Sequence, residues 1–84
     1  MSNGIEQERR FAARISRVRQ SRGMTQQQLA DATGISRQAI ALAEVGGKRI
    51  RLSDAVDIAG ALNVALDDMV SPEPMVLNIV VPVD

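Results

Sequence analysis

One stretch, TQQQLADATGISRQAI, running from Thr25 to Ile40, constrains the chain more than any other. It places two short helical runs on either side of a single glycine. Thr25 can cap the first run: its hydroxyl can accept from the amide of Gln27 or Gln28, and Gln28 stands at the reciprocal capping-box position. That run is expected to reach about Thr33. Gly34 suits the left-handed position just past a helix, where a side chain costs energy. Ile35 is then expected to pack inward, and Ser36 to cap a further helix carrying Arg37, Gln38 and Ile40. Ala30 is small enough for the two helices to approach closely, and Leu29, Ile35 and Ile40 can supply their shared core. A pair built this way can carry its second helix, rigidly, into something else.

Helical spacing organises much of the rest. Phe11, Ile15 and Val18 share one face, which predicts a first helix from about Gln7 to Ser21, ending before Gly23. Arg10, Arg14 and Arg17 repeat that spacing on a different face and read as a solvated surface rather than a site. GGKRIR, Gly46 to Arg51, is a flexible basic loop. Arg51 or Ser53 opens a fourth helix with Val56, Ala59 and Leu62 on one face, and Asn63 stops it. LDDMV, Leu66 to Val70, is a short fifth helix with Asp67 and Asp68 in its first turn, where acids favour the dipole. Ser71-Pro72-Glu73-Pro74 breaks the pattern. The β-branched, apolar run from Met75 to Val81 reads as a strand ended by Pro82, with no second strand candidate in the chain. These signals divide the chain into a helical domain over 1–70 and a tail over 71–84. No internal repeat or low-complexity tract intervenes.

Composition closes off several chemistries. At 84 residues one small domain is expected, and an oligomer is plausible because cores this small are marginal. There is no cysteine and no histidine, so disulfides, thiolate zinc sites, histidine acid–base chemistry and Ser-His triads all lack parts. No nucleophile–base pair, metal set or cofactor box can be argued, and the chain reads as no enzyme. No apolar run approaches the roughly 20 residues of a membrane span, and the first residues lack a signal-like apolar region. A cytoplasmic setting is expected. The net charge is zero, but its distribution is not even. All ten basic residues lie between Arg9 and Arg51, opposed there only by Asp31 and Glu44, a net of +8. From Leu52 to Asp84 there are six acids and no base. A molecule polarised in this way can hold a phosphate backbone on one side and repel it on the other.

Two helices joined by a short glycine-containing turn form the helix-turn-helix unit. The chain resembles the Cro/phage-repressor, or XRE, family of such proteins. The resemblance lies in R-x-x-x-G-M-T-Q-Q-Q-L-A-D-A-T-G-I-S-R-Q-A-I from Arg19 to Ile40, E-V-G-G-K-R from Glu44 to Arg49, and D-I-A-G-A-L-N-V-A-L-D-D-M from Asp57 to Met69. It spans about residues 9–70 and leaves the tail uncovered. It implies an all-α, five-helix, lambda-repressor-like domain that binds operator DNA as a dimer, in a bacterial or phage-encoded, nucleoid-associated protein.

The resemblance also implies roles. The third helix lies in the major groove, so Ser36, Arg37, Gln38, Ala41 and Leu42 would face base edges. Arg37 offers the fork that matches guanine O6 and N7, and Gln38 can bond adenine N6 and N7. Leu42 can meet a thymine methyl or serve the core. Thr25 and Gln26 at the start of the second helix, and Lys48, Arg49 and Arg51 in the basic loop, would hold phosphates. In relatives a glutamine at the Gln26 position also bonds the start of the third helix. Arg19 and Glu44 match positions that form an ion pair in some relatives, tying the first helix to the end of the third. Two departures stand out: Ala43 is small where a bulky apolar residue is usual, and Arg51 stands where a small capping residue usually opens the fourth helix. Ala41 also replaces a commonly polar residue.

A lone strand needs partners for its backbone donors. The tail can pair with its copy across a twofold axis, which makes Met75, Val76, Leu77, Asn78, Ile79, Val80 and Val81 the expected dimer interface. Alternation sets Val76, Asn78 and Val80 on one face and Met75, Leu77, Ile79 and Val81 on the other, the second covering the domain. The leading expectation is a homodimeric repressor on double-stranded DNA. An antitoxin is the alternative: it would bind its own promoter through the helix-turn-helix half and neutralise a toxin protein through its tail or its acidic half, whose charge suits a basic partner. A protein-interaction module that has lost DNA is a third.

Overall fold

The computed structural model describes residues 3–75. Five helices follow one another: α1 (Asn3–Ser21), α2 (Gln26–Thr33), α3 (Arg37–Glu44), α4 (Leu52–Leu62) and α5 (Leu66–Val70). The described part is all-α. The expected strand from Val76 to Val81, and with it the dimer pairing, lies outside the described residues.

The inward stripes follow the apolar spacing. Phe11, Ile15 and Val18 of α1 are buried together with Leu29 and Ala30 of α2 and Ile40 and Ala43 of α3. Ala55, Ile58, Ala59 and Leu62 of α4 and Met69 of α5 complete the cluster. Helix α1 packs on α3, α4 and α5, while α2 packs on α3 and α4. Ile35 in the turn, Ile50 before α4 and Leu66 in α5 lie partly buried against the cluster. Ala43 occupies its slot without a larger side chain and is still only 4% exposed.

Three expectations need correction. Helix α1 starts at Asn3 rather than near Gln7. Its first turn carries Glu6, favourable at a positive helix end, while Ile5 stays 49% exposed, so the added turn leaves no inward apolar signature to read. In α4 the inward face is Ala55, Ile58, Ala59 and Leu62, and Val56 is 52% exposed. Its residue type fits the face, but at about 100° per residue it falls outside the sector of Ala55, Ile58, Ala59 and Leu62.

The third correction is larger. Arg10, Arg14 and Arg17 do not form a solvated face; they hold the backbone that follows α5. Arg10 Nε donates to the carbonyl of Val70 at 2.7 Å. Arg14 donates to the carbonyls of Asp68, Ser71 and Glu73 at 2.7–2.8 Å, and Arg17 to that of Met75 at 3.1 Å. Asp68 and Val70 end α5, where carbonyls lack helical partners and a cation is favourable. The segment from Ser71 to Met75 is thereby laid along α1, and the Met75 side chain is buried in the core. Arg22 serves α4 in the same way, donating to Leu62 O at 2.6 Å, while Asn63 closes that helix in the left-handed region at φ +56. No described helix is long and apolar enough to cross a membrane.

Candidate nucleic-acid interface

Local chemistry builds the α2–α3 pair. The Thr25 hydroxyl accepts from the Gln28 amide at 3.0 Å and the Gln28 side chain accepts from the Thr25 amide at 2.8 Å, a complete capping box. Gly34 ends α2 at φ +76, in the left-handed region. Its amide donates to Ala30 O at 2.8 Å. Thr33 steadies the turn by donating to Leu29 O and accepting from the Ile35 amide. Ser36 then caps α3, its hydroxyl accepting from the Ala39 amide at 3.1 Å. Of the residues expected to touch DNA, Thr25 and Ser36 thus first serve the helix ends that aim the others.

Helix α3 has two faces. At about 100° per residue, Arg37, Gln38, Ala41, Leu42 and the C-cap Val45 fall within a sector of about 140°. Ile40 and Ala43 fall opposite and are buried. Arg37 and Gln38 are exposed, Ala41 is half-buried, Leu42 is 50% exposed and Val45 is 80% exposed. The open choice for Leu42 is thereby decided in favour of the surface. Val45 was not among the sequence candidates. Its spacing from Ala41 and Leu42, four and three residues, is the signal that puts it on their face.

The rear of α3 is anchored by an ion pair. Arg19 Nε donates to Glu44 Oε2 at 2.8 Å and Arg19 Nη2 to Glu44 Oε1 at 3.1 Å, with the side chains 11% and 6% exposed. Arg19 Nη1 also donates to Met24 O at 2.8 Å, so one guanidinium joins α1, the entry to α2 and the end of α3. Gln26 Nε2 donates to Glu44 Oε1 at 3.1 Å. The glutamine therefore reaches the end of α3, not its start. A shallow hollow remains between Thr25, Gln26 and Gln27 at the start of α2 and Arg37 at the start of α3.

The basic loop lies beside α3. Gly46, at φ +71, makes the turn out of the helix, and the Gly47 amide donates to Leu42 O at 2.8 Å. Lys48, Arg49 and Arg51 are exposed. Arg49 faces Glu8 of α1 at 3.3 Å, in a pair whose side chains are 89% and 34% exposed. A pair so open to water is weak and gives way readily to another anion. Arg51 precedes α4 in extended backbone without a side-chain cap. The structure thus brings Arg37, Gln38, Ala41 and Leu42 to one surface. Met75, expected at a dimer interface, sits in the core of its own chain, and Val76 to Val81 lie outside the described residues.

Among known proteins, a family model described as Helix-turn-helix (HTH_3) matches residues 15–69, well over half of the chain. The chain belongs to this family. It is the Cro- and XRE-type helix-turn-helix family of DNA-binding transcription regulators, in agreement with the resemblance carried by Arg19–Ile40 and Asp57–Met69. No curated protein and no solved structure matches the chain. The match covers the ion pair, the capped α2–α3 unit, the basic loop, α4 and most of α5, and stops before the segment held by Arg14 and Arg17.

Proposed function

We propose that this chain is a repressor that binds a pseudo-palindromic operator as a homodimer, with α3 in the major groove. The observation that carries the reading is the two-faced α3: a buried rear tied to α1 by Arg19 and Glu44, and an exposed front that begins with Arg37 and Gln38. Arg37 reads guanine and Gln38 reads adenine, each good bidentate contact discriminating by about 1–3 kcal/mol. Lys48, Arg49 and Arg51, with the start of α2 at Thr25 and Gln26, hold the phosphates on either side. A dimer sets its two recognition helices about 34 Å apart, one turn of the duplex. Repression is steric, by occupation of a promoter.

Selection from random duplex DNA at moderate salt, followed by sequencing of the bound pool, tests this. A palindrome with half-sites about one turn apart is expected, and Arg37→Ala and Gln38→Ala should each relax one base position. An unenriched pool sinks the reading. The tail is the proposed dimer element: a chain ending at Met75 should be monomeric by light scattering, and a dimer from that chain would move the interface elsewhere.

One observation favours a second reading. Asp57, Asp67, Asp68 and Glu73 are exposed on α4, α5 and the segment after it, in a part of the chain without a basic residue. That surface suits a basic protein, as for an antitoxin that also binds its own promoter. Copurification with a second small, basic protein distinguishes it.

A further inference from the structure

The front of α3 is polar at one end and apolar at the other, and we infer that the apolar end reads thymine, with Val45 joining Leu42 as a specificity-determining residue. The inference rests on the DNA-binding reading above and adds to it the base that each end of the helix selects. Val45 is 80% exposed and Leu42 50% exposed. They share the outward sector with Arg37 and Gln38, and the half-buried residue between them, Ala41, is apolar as well.

The two side chains also lie beside the same glycine. A Cβ built on Gly47 would lie 3.3 Å from Leu42 Cδ2 and 3.6 Å from Val45 Cγ2. Both side chains therefore close on the bare face of that glycine, whose amide is fixed to Leu42 O at 2.8 Å. Leu42, Val45 and the Gly47 backbone make one apolar ledge at the end of α3. A bulkier residue at position 47 would push against both.

Base-edge chemistry selects the occupant. Residues 41, 42 and 45 offer no side-chain donor or acceptor to the groove. The one apolar group that a base pair shows in the major groove is the C5 methyl of thymine. Cytosine in the same place lacks that methyl and offers the ledge nothing apolar to cover. From Gln38 to Leu42 the helix rises about 6 Å. The thymine therefore belongs to the same half-site as the purines facing Arg37 and Gln38.

Deoxyuridine differs from thymidine only by that methyl, so the full-length chain is titrated on its selected operator with each thymine replaced in turn by deoxyuridine. One or two positions per half-site should weaken binding about fourfold for each methyl lost. In Leu42→Ala and Val45→Ala the preference for thymine over deoxyuridine should fall toward unity at one of those positions, with thermal unfolding unchanged. Equal binding of the thymine and deoxyuridine duplexes at every position, with selectivity for the operator intact, overturns the inference and leaves the DNA-binding reading standing. A wild-type thymine preference in Val45→Ala removes Val45 from it. A chain that enriches no duplex overturns both.

Discussion

Glu44 shows how much one side chain can hold. Its carboxylate accepts from Nε and Nη2 of Arg19 and from the side-chain amide of Gln26, and its side chain is 6% exposed. Removing one partner of so buried a pair leaves the other charge uncompensated, at a cost of about 3–5 kcal/mol. Glu44→Gln is therefore expected to lower the thermal midpoint by more than about 12 °C, since each kcal/mol moves a domain of this size by about 4–8 °C. Thermal unfolding followed by circular dichroism checks it, and a midpoint within a few degrees of wild type would show the pair to be ornamental. At this scale the sequence was legible wherever the chemistry is local. The capping box at Thr25 and Gln28, Gly34 in the left-handed region and the Ser36 cap all act over two to four residues. Arg10, Arg14 and Arg17 were not legible, because their acceptors are backbone carbonyls 54–60 residues away. Every residue has a carbonyl, so no residue type marks such a contact in advance.

Among elements, the segment after α5 changes where the domain ends. The break at Ser71-Pro72-Glu73-Pro74 invited a boundary at residue 70, and the prolines do end α5. Yet Arg14 and Arg17 carry the next five residues along α1, and Met75 is 8% exposed in the core. Met75→Ala should destabilise the domain by about 2–5 kcal/mol, the range for truncating a buried methionine. A chain ending at Val70 should lose at least as much in urea relative to a chain ending at Met75, the comparison that isolates Ser71 to Met75 from any contribution of dimer formation. Equal stability of all three would mean that the segment contributes nothing to the fold. The helices themselves were legible from apolar spacing, but their margins were not. The start of α1 carries Ile5 half exposed, and Val56 on α4 offers the right chemistry at the wrong angle. Periodicity finds the buried centre of a helix and loses the turns that bury nothing.

For the molecule as a whole, segregated charge governs how DNA is held. Net charge is zero, so binding cannot draw on a general attraction to phosphate. It must come from the basic stretch turned toward the duplex while the acids of α4 and α5 face elsewhere. If Lys48, Arg49 and Arg51 each neutralise one phosphate, a dimer makes six such contacts, and the logarithm of its affinity should fall with that of salt concentration with a slope of about −5. Lys48→Ala should make the slope shallower by about two for the dimer and leave base preference unchanged, because backbone contacts position without reading. Glu8 adds a sharper test. It now faces Arg49 at 3.3 Å, and phosphate must displace it. Glu8→Gln should raise affinity and steepen the slope, while Arg49→Ala should do the reverse and abolish the effect of Glu8→Gln in the double variant. Binding titrations over a salt series read all four. If Glu8→Gln leaves the slope unchanged while Lys48→Ala moves it, the loop meets the backbone through Lys48 and Arg51 alone, and Arg49 belongs to α1.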